Sequence, residues 1–321
     1  MDTATGQAMT EHYIRPDVRA FLGVMAANPR PSFNDELIAK IRQLPPGSMP
    51  SPDLPVGEMA VLRDLTMPGP NGNLALRLFD VRAKRDPGPV VVFYHGGGFV
   101  VGSIDTHAAL AAEISRSLDL PLISVEYRLA PEHPWPSAPD DAEAAARWIA
   151  QNSAVFERQF TGLILCGDSA GGNLAIVTAL ALRNRTAALP AIMQFLIYPG
   201  THTGSDYPSR KAMIDGFGLT PNDMRYYDRA YASDPTHWRS SPLLADQAGL
   251  PPTLVVTASL DPLRDEGRAY AAKAIAAGVQ TTFREMKGTI HGFASYRGAI
   301  ASARTDLAAI LKVARGMLSE L

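Results

Sequence analysis

Residues 167–172 read Gly-Asp-Ser-Ala-Gly-Gly, a serine fenced by glycines between the apolar run Leu163–Cys166 and the helix-like pattern Leu174–Arg183. A serine hydroxyl becomes a useful nucleophile only when a base takes its proton and fixed donors stabilise the oxyanion that forms. The spacing Gly167-x-Ser169-x-Gly171 is that of a nucleophile elbow, in which a sharp strand-to-helix turn projects the serine side chain. The residues two before and two after the serine come close together at such a turn, so both must be tiny. Gly172 leaves room for the helix to pack back onto the sheet. Taken alone, the hexapeptide fits a glycine-rich phosphate-binding turn equally well, although no GxxxxGK accompanies it.

A second glycine cluster favours acyl chemistry. The strand-like run Val90–Tyr94 leads into His95-Gly96-Gly97-Gly98-Phe99. Backbone N–H groups can reach a tetrahedral oxyanion only where side chains do not block the approach, and HGGG loops supply such donors. The N–H of Ala170, the residue after the serine, is expected to be another donor.

The base and the acid follow by elimination, because the chain order in elbow enzymes is serine, acid, histidine. Three of the seven histidines lie beyond Ser169: His202, His237 and His291. No carboxylate separates His202 from the serine, and His237 sits in an irregular stretch. His291, just after the last strand-like run, is the expected base. Asp261 directly follows the strand-like TLVVTASL and is the expected acid. Asp265 remains the alternative; it and Glu266 fall in a first helical turn, where acidic residues are favourable for structural reasons alone.

These residues need a sheet to present them. Strand-like runs occur at 59–67, 74–81, 90–94, 122–125, 163–166, 193–198, 253–258 and 281–285, and PGPNGN predicts an antiparallel hairpin between the first two. Helical patterns at 108–118, 140–151, 174–183, 264–277 and 299–318 alternate with the later strands. That alternation implies an α/β fold with a mostly parallel sheet of about eight strands, helices on both faces, and ligands at the carboxyl ends of the strands. Two short amphipathic stretches, around 18–25 and 37–44, read as a loose arm, with Ser32 and Asp35 as a capping box for the second. A linker rich in Pro, Gly and Ser (43–56) follows. Between Tyr198 and Pro252 the rhythm breaks into an insertion with one helix over 223–231, expected to lie over the sheet.

Composition bounds the rest. At 321 residues with 46% apolar content the chain can bury a large core, and a net charge of −2 argues against nucleic acid as a partner. One cysteine, Cys166, excludes an internal disulfide and paired-thiolate metal sites; in a strand it reads as a small buried hydrophobe. No apolar run is long enough for a membrane span, and the first residues lack a signal-peptide layout. A cytoplasmic protein is expected.

HGGGF, EYRLAPEHPWPSAPDD, GDSAGGNLA, DPLRDEG and HGF occur in the order of the hormone-sensitive-lipase-like (bacterial family IV) carboxylesterases of the α/β-hydrolase fold. The chain resembles that family over about residues 60–315. The resemblance implies a triad of Ser169, Asp261 and His291, and an oxyanion hole from Gly97, Gly98 and Ala170. It also implies a helical cap built from residues 1–50 and 201–245 over a core of 51–200 and 246–321. The implied reaction is hydrolysis of short- to medium-chain acyl esters, with no metal or other cofactor. A small-molecule amidase or deacetylase would use the same triad. A non-catalytic binding protein of this fold usually lacks part of the triad, and here all three residues are present.

Several other residues invite a role. His95 is expected to brace the glycine loop and Asp168 to support the elbow. Tyr127, Arg128 and Glu132 match a family motif that reads as a network behind the site. Phe99, Tyr198, Met213, Phe217, Tyr226 and Trp238 are candidates for a substrate pocket. The C-terminal helix could pair two copies into a homodimer or pack on the sheet.

Overall fold

The computed structural model of the chain describes residues 12–45, 48, 51–213 and 217–321. The opening eleven residues and four of the linker positions (46, 47, 49 and 50) lie outside the described residues. Eight strands form one sheet: β1 (Val61–Gly69), β2 (Gly72–Asp80), β3 (Gly88–Tyr94), β4 (Leu122–Val125), β5 (Phe160–Asp168), β6 (Ala191–Ile197), β7 (Thr253–Leu260) and β8 (Thr281–Ile290). Their order is β1-β2-β4-β3-β5-β6-β7-β8. β1 and β2 form the expected hairpin, closing at Gly69 opposite Gly72, and β2 also pairs antiparallel with β4. All pairings from β4 through β8 are parallel.

The helices are α1 (Pro16–Ala27), α2 (Asp35–Arg42), α3 (Ala108–Leu118), α4 (Ser137–Gln151), α5 (Ala170–Asn184), α6 (Pro208–Ala212), α7 (Pro221–Tyr231), α8 (Arg264–Ala276) and α9 (Ala301–Leu318). Strand side chains alternate between faces, and β3 shows how this divides the core. Val90, Val92 and Tyr94 point into an apolar layer shared with α4, α5 and α8, while Val91 and Phe93 point into a layer shared with α3 and α9. Burial on both faces explains why the central strands read as continuous apolar runs.

Two sequence expectations change, and the alternative left open for the C-terminal helix is decided. The arm is packed rather than loose: Val18 and Ile38 are buried in the two apolar layers, and Arg15 holds Asp306 of α9 at 2.5 Å. α2 is capped by Asn34, whose Oδ1 accepts the Leu37 N–H at 2.8 Å, because the helix starts at Asp35 and leaves Ser32 outside it. The apolar stripe of α9 (Leu307, Ile310, Leu311, Ala314) is buried against the chain's own core and is not a free pairing surface. No helix among the described residues is long and apolar enough to cross a membrane.

Candidate active site

Strand ends bring the chemistry together. β5 ends at Asp168, one residue before Ser169; β7 ends at Leu260, before Asp261; and β8 ends at Ile290, before His291. Leu260 and Ile290 are register partners, so Asp261 and His291 leave the sheet side by side. Tyr94 and Gly167 are partners likewise, which sets the glycine loop next to the elbow.

Ser169 has φ 54° and ψ −117°, a sparsely populated backbone state for a residue with a side chain. The turn tolerates it because Gly167 and Gly171 meet: a Cβ on Gly167 would overlap the Gly171 carbonyl, and one on Gly171 would overlap that of Tyr94. The Ser169 N–H is fixed to the Ile197 carbonyl at 2.9 Å. Ser169 Oγ lies 2.8 Å from His291 Nε2, and His291 Nδ1 lies 2.8 Å from Asp261 Oδ2. Asp261 is fully buried, and its other oxygen accepts the Leu263 N–H at 2.8 Å. Asp265 instead accepts the Ser209 N–H and pairs with Arg264, away from the imidazole. Burial pushes the pKa of His291 down, but the adjacent Asp261 carboxylate, together with the charges of Asp168 and Glu266, outweighs it, and the net shift is upward. The ring packs on Tyr198, centroids 4.7 Å apart.

The glycine loop curls beside the serine with Gly97 at φ +124°, a conformation that excludes other residues, and a Cβ there would strike the Val101 carbonyl. Among the described residues, none accepts a hydrogen bond from the N–H of Gly97, Gly98 or Ala170. Ala170 opens α5, so its N–H also lies at the positive end of a 15-residue helix. His95 is buried behind the loop. Its Nδ1–H donates to the Gly96 carbonyl at 2.8 Å, and its ring stacks on Tyr127, whose hydroxyl donates to the His95 carbonyl at 2.7 Å. Asp168 accepts the Gly96 N–H at 2.8 Å.

A cavity of about 400 Å³ opens over Ser169 and His291, within the range of small-molecule sites. One face of α7 forms its roof. Met224, Tyr227, Asp228 and Tyr231 fall at positions i, i+3, i+4 and i+7, and all four line the cavity. Arg30 and Phe33, from the segment between α1 and α2, line it too. Arg30 is ion-paired with buried Asp223 on the adjacent face of α7.

Of the six proposed pocket residues, Phe99 lines the cavity, stacked on Tyr231 at 3.9 Å. The other five lie elsewhere. Tyr198 sits under the His291 ring, and Met213 is buried in the apolar layer with Val18. Phe217 packs edge-on against His12. Tyr226 points from the opposite side of α7 to Asp35, donating to it at 2.9 Å, because adjacent helical residues diverge by about 100°. Trp238 lines a separate surface groove with Leu180 and Arg183. Glu132 is likewise not behind the site: its half-exposed carboxylate pairs with Arg42 of α2 at 3.1 Å. Arg128 does belong to the interior network, through a two-point pair with Asp141. Sequence reading missed Arg30, Phe33, His107 and the α7 stripe. Only the stripe had a signal in the sequence, its helical spacing.

A family model described as alpha/beta hydrolase fold matches residues 91–295. The carboxylic ester hydrolase LipN of Mycobacterium tuberculosis is 37% identical over 255 residues, covering 77% of this chain and 66% of that protein. The carboxylesterase NlhH of the same species is 35% identical over 266 residues, covering 80% of this chain and 81% of that protein. Among solved structures, a hyperthermophilic esterase from the archaeon Pyrobaculum calidifontis superposes with a TM-score of 0.82 at 33% identity, over 95% of this chain and 99% of that one. The chain belongs to the α/β-hydrolase-fold family, in the hormone-sensitive-lipase-like group that its motifs resemble.

Proposed function

We propose that the protein is a serine carboxylesterase acting on short- to medium-chain acyl esters. The observation that carries this is the unbroken relay Ser169 Oγ–His291 Nε2 and His291 Nδ1–Asp261 Oδ2, each step 2.8 Å, ending in a cavity. Ser169 Oγ attacks the ester carbonyl while His291 Nε2 takes its proton. The resulting oxyanion accepts hydrogen bonds from the Gly97, Gly98 and Ala170 N–H groups. His291 returns the proton to the departing alcohol as the C–O bond breaks, leaving an acyl-serine. Water, deprotonated by His291, then attacks that acyl group, and the acid leaves as Ser169 recovers its proton. Asp261 holds the imidazole tautomer and stabilises the imidazolium.

Residues 1–50 and 201–245 act in this reading as a cap on a core of 51–200 and 246–321, supported by Arg30, Phe33 and α7 in the cavity wall. Cytoplasmic residence and pairing of two chains are expectations of the same reading, which cell fractionation and light scattering test. The main test is hydrolysis of p-nitrophenyl esters from acetyl to palmitoyl by the protein and by Ser169→Ala. We expect a short-chain optimum, and a loss on the order of 10⁶ in turnover for the variant. Equal activity in both proteins would overturn the assignment.

A further inference from the structure

A second imidazole–carboxylate contact lies beside the nucleophile. His107 and Thr106 line the cavity. His107 Nε2 is 3.6 Å from Asp168 Oδ1, and its Nδ1 meets Thr106 Oγ1 at 2.9 Å. Asp168 is buried and tied to the glycine loop: Oδ1 accepts the Gly96 N–H, and a Cβ on Gly96 would come within 2.5 Å of Oδ2. A carboxylate at this place has two effects of opposite sign. Its hydrogen bond anchors the loop that presents Gly97 and Gly98. Its charge, screened little in a buried site, opposes the negative charge that builds on the attacked carbonyl oxygen. The anchor is useful to an oxyanion only where the charge is cancelled.

We propose that His107 is a positioning residue of this site: as an imidazolium it pairs with Asp168, so that Asp168 holds the oxyanion loop without repelling the oxyanion. The proposal rests on the ester-hydrolase reading above. The titratable and charged groups around His107 fit the assignment. Asp168 faces it from the end of β5, and His95 faces it from the end of β3, ring centroids 5.4 Å apart. Glu126, just past β4, accepts the Ile104 N–H at 2.7 Å, and Asp53 is paired with Arg297 at 2.7 Å. The two neighbouring imidazoles divide their roles. Burial pushes His95 down to about 3, so it stays neutral. Burial pushes His107 down as well, but Asp168 outweighs it and the net shift is upward.

The test is the pH profile of His107→Gln on p-nitrophenyl acetate. We expect kcat to fall about tenfold with KM little changed, since a charge near the oxyanion acts on the transition state. The acid limb of kcat/KM should move to higher pH, because an uncompensated Asp168 carboxylate further favours the His291 imidazolium. The proposal predicts an alkaline decline in the unaltered protein, from loss of the His107 charge, and its disappearance in the variant. In the double variant His107→Gln with Asp168→Asn, the acid limb should return to or below its original position. Lost activity with both limbs unmoved would mean a merely structural histidine, and unchanged kcat would also overturn the proposal. Should His107→Gln not fold, the His107 imidazole of the unaltered protein is titrated by NMR: it must keep its proton to higher pH than His291 does, and loss of its proton before that of His291 overturns the proposal. Ser169→Ala, run in parallel, separates the two failures: if it stays active, the ester-hydrolase reading falls; if it is dead and the limbs do not move, only the role of His107 falls.

Discussion

A proton on His291 decides whether Ser169 can attack, and its environment sets the working pH. The imidazole is buried, which disfavours its charge, yet Asp261 at 2.8 Å, aided by the charges of Asp168 and Glu266, more than offsets that and raises its pKa above the ordinary value of 6.5. A base must be neutral to act, so kcat/KM should rise with pH through a midpoint above 6.5, read from the acid limb of a pH–rate profile. A midpoint below that value would contradict a carboxylate-supported imidazole at this site. The acid assignment has its own test. Asp261→Asn should lower kcat by about 10⁴ through the wrong tautomer, whereas Asp265→Asn, which touches Ser209 and Arg264 instead, should leave kcat within a few-fold. The reverse ranking in steady-state kinetics would contradict the relay. The sequence left Asp265 open because both aspartates follow the same strand; a four-residue difference is resolved only by where the chain turns.

At the scale of elements, legibility followed periodicity. All eight strands and the helices that cover them were readable, since burial on one or two faces writes a period of 2, a period of 3.6 or a solid apolar run into the sequence. Elbow and glycine loop were readable as well, because a close backbone approach admits only glycine. The cavity wall was not. Tyr226 and Trp238 looked as suitable as Phe99, and their roles depend on the rotation of α7 and the path of an irregular insertion. Arg30 and Phe33 gave no signal, because a pocket lining carried by a non-repeating segment has no period. Their docking yields a prediction at this scale. Arg30→Ala leaves Asp223 buried without its cation and releases the arm from α7. KM should rise several-fold with a smaller change in kcat, as for lost ground-state binding. Michaelis kinetics showing kcat lost and KM unmoved would contradict that role.

Across the whole molecule, the site depends on a sheet whose opposite edge is held by charge. Asp80, fully buried at the end of β2, receives Arg85 at 2.7 Å and Arg158 at 3.0 Å. Removing one partner of a buried charge costs about 3 kcal/mol, so Arg158→Ala should lower the unfolding free energy by that amount, read as a lower denaturant midpoint at an unchanged m-value. This lies at the far ends of the strands from the triad, and the activity of the folded variant should be retained. The same sheet joins residues 122 positions apart, Ser169 and His291, into one reacting unit. The central claim is therefore that Ser169 alone becomes acylated. It is tested most directly by exposing the protein to a fluorophosphonate ester and mapping the adduct by peptide mass spectrometry. The account predicts one adduct per chain, on the peptide containing Gly167-Asp168-Ser169, and none when His291→Ala removes the base. Modification at any other residue, with ester hydrolysis lost in step, would contradict it.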